Sequence, residues 1–199
     1  GKAPDKVIHG GGRLVNLVPV LVKAARLDLV EQLLGRVLKA APAPHVPTAH
    51  LRDALANALL AAFDPAHPQG TVAVVHLAQR LDALAAGSLA GILAGVARDA
   101  AKALHVAGHG ALRDEVFAIL ESSTPPSAGD VVAWGHQAGA WADRLVIDLS
   151  QGHFDQVESI VLHLEALASK SSSAEVATEL AAAYACCLEA NMPTPRVSP

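Results

Sequence analysis

The stretch WADRLVIDLSQGHFDQVESIVLHLEALAS, residues 141–169, decides the fold class. Reading back to Trp134, the residues Trp134, Ala138, Trp141 and Leu145 recur at steps of three and four, and the pattern stops at Gly152. It restarts with Phe154, Val157, Ile160, Val161, Leu164, Leu167 and Ala168. That spacing lines one face of a helix with apolar side chains. Two such stripes separated by a glycine predict two helices joined by a tight turn.

The same spacing recurs along the chain. Leu14, Leu17, Val18, Leu21 and Ala25 form a first stripe, with Pro19 inside it either as a kink or as the true helix start. Leu27, Val30, Leu33, Leu34, Val37, Leu38 and Ala41 form a second, closed by Pro42. Leu51, Leu55, Ala58, Leu59 and Ala62 precede the Asp64–Pro65 break. Val72, Val75, Ala78, Leu81 and Leu84 come fourth, and Leu89, Ile92, Val96, Ala100 and Leu104 fifth, ending near Gly108. Leu112, Val116, Ile119 and Leu120 stop before Pro125 and Pro126. The ninth stripe is Val176, Leu180, Ala183, Tyr184, Cys187 and Leu188. Thr48, Asp130 and Ser173 stand where helix N-caps belong. Connections of two to eight residues make sequential helices antiparallel neighbours.

Composition agrees with an all-α chain. Of 199 residues, 52% are hydrophobic and only 3% aromatic, which disfavours strands. A charged fraction of 17% excludes a disordered chain. The longest uncharged apolar run, Ala83–Ala97, has 15 residues, short of the roughly 20 a membrane span needs. The net charge of -4 argues against a nucleic-acid binder. The expected organisation is a lead-in over 1–12, one helical domain over 13–190 and a Pro-rich tail over 191–199, in a cytoplasmic protein.

The segment from Ala24, AARLDLVEQLLGRVLKAA, aligns with QGHFDQVESIVLHLEALA from Gln151: Leu27 with Phe154, Asp28 with Asp155, Val30 with Val157 and Glu31 with Glu158. A third copy, HGALRDEVFAILES from His109, puts Leu112 in the same place. Leu27, Leu112 and Phe154 are 85 and 42 residues apart, which suggests a period near 42. On Trp141, Gly152 and Phe154, with Leu27 and Pro42 in the first copy, the chain resembles tetratricopeptide (TPR-like) hairpins, and its longer period is similar to HEAT-like repeats. The resemblance implies a superhelical array of antiparallel hairpins with a concave, partner-binding face. An irregular helical bundle is the alternative.

Ten histidines invite a metal, but the pair His105 and His109 lacks a third ligand and is interrupted by Gly108. His45 and His50 flank Pro47, and His76, His136 and His163 sit beside apolar stripes on different helices. HGGGR from His9 is like an esterase oxyanion loop, yet no G-x-S-x-G accompanies it. Cys186 and Cys187 fit small core positions. No cofactor is implied, and no enzyme activity is expected.

Charge is unevenly spread: +4 over residues 1–40, zero over 41–104 and -8 over 105–199. That polarity favours a basic partner or head-to-tail self-association. The expected function is a scaffold or adaptor module that docks a protein or peptide. Its contacts would come from polar residues on the first helix of each hairpin: Arg52, Asp53 and Asn57; Arg98, Lys102 and His105; His136, Asp143 and Arg144. The alternative is a small-molecule or lipid-binding bundle, with the Ala/Gly-rich segment Ser88–Leu104 lining the pocket.

Overall fold

In the computed structural model, residues 15–40, 48–127 and 129–190 are described. Among them are nine α-helices and no strand: α1 over 15–23, α2 Leu27–Ala40, α3 Thr48–Ala62, α4 Gln69–Leu84, α5 Ala90–Val106, α6 Gly110–Glu121, α7 Val131–Gln151, α8 Phe154–Lys170 and α9 Ala174–Glu189. Each helix answers one apolar stripe. The expectations placed on 1–12, Leu14, Ala41, Pro42, His45, Pro47 and 191–199 lie outside the described residues. Helix α1 runs through Pro19, so the proline does not mark its start.

Four helices end in one way. The chain leaves α1 at Ala25 (φ 56°), α4 at Ala86 (φ 51°), α5 at Gly108 (φ 79°) and α7 at Gly152 (φ 75°). In each case the left-handed residue and its successor donate backward to the last turn. Gly152 N–H reaches the Leu149 carbonyl at 3.1 Å and His153 N–H the Asp148 carbonyl at 2.9 Å. Gly108 and His109 repeat this on His105 and Leu104 at 2.9 and 2.8 Å, and Ala25 and Arg26 on Val22 and Leu21, both at 2.9 Å. This is the Schellman termination, which satisfies otherwise orphaned carbonyls. After α1, α5 and α7 the next helix starts two residues past the left-handed one, at Leu27, Gly110 and Phe154. Leu112 therefore lies two residues inside α6, whereas Leu27 and Phe154 open their helices.

The chain divides into two compact units, Gly1–Pro125 and Pro126–Pro199. In the first, α4 packs against α2, α3, α5 and α6. Val72, Val74, Val75, Leu77, Ala78 and Leu81 are buried on more than one side of it, as suits a central helix. Gln79 donates to the Ile119 carbonyl at 3.3 Å and to Ser122 Oγ at 3.2 Å, tying α4 to the end of α6. Asp82, buried, accepts the Leu89 N–H at 2.8 Å and so holds the start of α5. Burial pushes its carboxyl above the ordinary range, and the Leu89 hydrogen bond pulls it back down. The alanines of α5, Ala90, Ala94, Ala97, Ala100 and Ala101, are buried, and α5 packs against α3, α4 and α6.

In the second unit, α7 packs against both α8 and α9, which also touch each other. The core joins Trp134, Trp141, Leu145, Val157, Ile160, Val161, Leu164, Val176 and Cys187. Asp130 caps α7 as expected, accepting the Ala133 N–H at 3.0 Å. Ser173 occupies the N-cap of α9, but its side chain makes no capping bond. Gly135 lets α7 approach α9 closely: a Cβ there would lie 3.0 Å from the Glu175 Cβ, and the Glu175 side chain would have to shift. Helices gathered around α4 and α7 make a globular packing more than a regular series of stacked hairpins.

Two stability outcomes follow from these packings. Trp141 is 3% exposed, and Trp141→Ala should cost about 3–5 kcal/mol in chemical denaturation. A loss below 1 kcal/mol would contradict its place in the core. At the turns, Ala86→Gly should gain about 0.5–1 kcal/mol by relieving left-handed strain, whereas Gly152→Ala should lose about 1 kcal/mol. A Cβ on Gly152 meets nothing within 4 Å, so the comparison reads backbone conformation alone.

Candidate functional site

Helix α2 is amphipathic. Val30 and Leu34 turn inward, while Asp28, Glu31, Gln32, Arg36 and Lys39 lie on the other side. Opposite that side stands the last turn of α4. Arg80 donates to Glu31 through two nitrogens, at 3.0 and 2.8 Å. One turn further along both helices, a Cβ built on Gly35 would lie 3.9 Å from Leu84 Cδ1. Glu31 to Gly35 and Arg80 to Leu84 advance by the same four residues, so α2 and α4 run parallel here.

Between them lies an open cleft of about 430 Å³, lined by Asp28, Glu31, Gln32, Gly35, Arg36, Lys39 and Leu84. Most of its wall is carbon surface. Leu84 belongs to the fourth apolar stripe and would be expected in the core, yet it is 57% exposed and forms one wall of this cleft. It is the last residue of its helix, and the left-handed turn at Ala86 carries the chain away before anything covers it.

The charges of the cleft are unevenly matched. Asp28 is held by Arg26 at 2.8 and 2.7 Å, which lowers its carboxyl from the usual range and raises the guanidinium. Glu31 is held by Arg80. Arg36 and Lys39 are exposed, and among the described residues neither has a carboxylate within ion-pair distance.

A second polar arrangement sits in the other unit. Trp141 and His163 rings lie 4.2 Å apart between centroids, and the Arg144 guanidinium carbon is 5.2 Å from the Trp141 centroid. Arg144 Nε is 3.5 Å from Asp148 Oδ2, and His153 Nδ1 is 3.6 Å from Asp148 Oδ1. Asp148 is fully buried. Its position, seven residues after Trp141 on α7, places it under the α7–α8 turn beside His153. The set is an internal chain of ring, cation and carboxylate contacts that braces the hairpin.

Nearby, the Tyr184 hydroxyl on α9 donates to a Glu165 carboxylate oxygen on α8. That hydrogen bond, with burial and the carboxylate charge, pushes the phenol up to about 12. Burial also pushes the Cys187 thiol up, which leaves it less of a nucleophile.

The nine residues singled out by sequence fall into three groups. Arg52 and Asp53 are exposed on α3, 3.7 Å apart, with Asn57 half-buried a turn later. On α5, Lys102 is exposed while Arg98 and His105 are half-buried. On α7, His136 is exposed, Asp143 is half-buried and Arg144 is drawn onto Trp141 and Asp148. Helices α3 and α5 share a unit and touch; α7 belongs to the other unit. His109 is drawn away from His105 to the Pro65 carbonyl, with Nε2 at 2.9 Å. Among the described residues, no group of three or more His, Cys, Asp or Glu is placed to hold a metal ion, and no helix is long and apolar enough to cross a membrane.

Sequence pattern missed the cleft because Leu84 reads as core and α2 reads as a solvated face. The one signal was Gly35, a helix-interior glycine that lowers helix propensity. No family model, curated protein or solved structure matches this chain.

Tyr184 is the only tyrosine, so its near-ultraviolet titration is uniquely assigned. The midpoint should lie near 12 in the native chain. Glu165→Gln should bring it down towards about 10. The folded phenol titrates above the unfolded one, so the stability it lends is complete below about pH 10 and is lost as pH rises towards the folded value. An unshifted wild-type midpoint would rule out the Glu165 contact.

Proposed function

We propose that this chain is a helical binding domain for a small apolar ligand, taken into the cleft between α2 and the end of α4. One observation carries the reading: a largely carbon-walled cleft of about 430 Å³ that leaves Leu84 uncovered at a helix end. Ligand sites in folded proteins span roughly 300–1,000 Å³ and combine apolar walls with a few polar groups. Here Gly35 and Leu84 supply the wall and the charged side of α2 the rim. The reading is one of binding without chemistry.

A second reading has its own support. Leu60, on α3, and Phe63, the residue just after its end, are 76% and 37% exposed. Phe63 N–H still reaches the Leu59 carbonyl at 3.0 Å, so the pair sits together at the C-terminal end of α3. An exposed apolar pair of this kind favours protein docking on a TPR-like or HEAT-like surface, with the uneven charge distribution steering a basic partner or a second copy.

A neutral apolar dye separates the two. Nile red titrated into the purified full chain should give a saturable fluorescence rise with one site per chain. Leu84→Ser should abolish it without changing the helical circular dichroism spectrum, because Leu84 is exposed. A rise that survives Leu84→Ser but is lost in Leu60→Ser/Phe63→Ser would transfer the apolar site to α3 and favour docking. No saturable rise at all would overturn the ligand reading.

A further inference from the structure

Resting on that reading of the cleft, we infer the class of its ligand: a single-chain aliphatic carboxylate of the unesterified fatty-acid type. Its anionic head would be met by Arg36 and Lys39, and its chain would lie over Gly35 and Leu84. The argument is one of charge complementarity. Four charged side chains line the cleft, two of each sign. The two acids are already engaged, Asp28 by Arg26 and Glu31 by Arg80, each through a bidentate guanidinium. Bidentate pairing leaves those carboxylates little demand for a further cation. The two cations have no such partner among the described residues. Among the described residues, the cleft therefore presents two positive charges without a matching carboxylate at one end.

The geometry orders the ligand. Arg36 follows Gly35 directly, and Lys39 lies one turn beyond Gly35 towards the C-terminus of α2. An anion between them would stand next to the apolar wall formed by Gly35 and Leu84. Gly35 itself has no packing need to be glycine. A Cβ there would make an ordinary 3.9 Å contact with Leu84, and no left-handed backbone is involved. A helix-interior glycine lowers stability relative to alanine, and here its effect is to keep the cleft open above Leu84. Lys39 in the last turn also answers the helix dipole, so the decisive readout is ligand binding rather than stability.

Dodecanoate and dodecanol, alike in chain length and different in charge, make the test. Calorimetric titration below the micellar range should show wild-type chain binding dodecanoate more tightly than dodecanol. The double variant Arg36→Gln/Lys39→Gln should weaken dodecanoate about tenfold, as expected for two exposed ion pairs, and leave dodecanol unchanged. Gly35→Leu and, separately, Leu84→Ser should lose both probes, with circular dichroism checking that each variant is folded. Equal affinity for the two probes, or a double variant that binds dodecanoate as wild type does, overturns the carboxylate assignment while the apolar site stands. Binding of both probes that survives Gly35→Leu and Leu84→Ser places the site elsewhere and overturns it as well. Failure of both probes on wild type takes the cleft reading down with it.

Discussion

A helix that stops and reverses within two or three residues leaves its last carbonyls without partners and has almost no chain to supply them. The whole architecture rests on how that demand is met. At Ala25, Ala86, Gly108 and Gly152 the backbone enters the left-handed region, and the N–H of that residue and of its successor turn back onto the final turn. The chain emerges already reversed, so the following helix is committed to pack against the one just finished. The pairs α5–α6 and α7–α8 are built this way, and both are in direct contact. Two of the four sites use alanine, which tolerates this conformation less well than glycine. Tertiary packing must hold those two turns, and at the α4 end the buried Asp82 does so through its bond to Leu89.

Much of this was legible in the residues themselves. The three-four spacing located every helix, and Gly108 and Gly152 announced their turns. Asp130 was readable as a cap because its chemistry is local: a carboxylate three residues before the N–H it accepts. Ala25 and Ala86 were not readable, since nothing in an alanine signals a left-handed backbone. The same gap affects the comparison of segments along the chain. Leu112 matched by side-chain type, whereas α6 opens at Gly110. The division of the chain at Pro125–Pro126 read only as a helix end, because which helices gather into one core depends on contacts far apart in sequence.

The candidate site was harder to see, and for a definite physical reason. Hydrophobic periodicity assigns a face to each residue but not a cover to each face. Leu84 lies on the inward stripe of α4, yet the stripe outlasts the helices that cover it. Phe154 and Leu188 show the same effect at the start of α8 and the end of α9, where they are 50% and 62% exposed. Apolar residues at helix ends are thus the ones whose burial a pattern overestimates. Leu84 lines a cleft, beside a glycine and two cations.

The distribution of polar groups separates what braces the molecule from what is offered to a partner. In the second unit Arg144 spends its charge on Asp148 and its flat face on Trp141, and Tyr184 spends its proton on Glu165. Groups engaged with one another in this way hold neighbouring helices together. On α2 the balance is different. The acids at its N-terminal end are matched by arginines from outside the helix, while the cations towards its C-terminal end are not matched by any described carboxylate. Charge that is uncompensated, exposed and next to an apolar wall is where an anionic, partly apolar molecule gains most on leaving water. The contrast between the two units, more than any single residue, directs attention to α2.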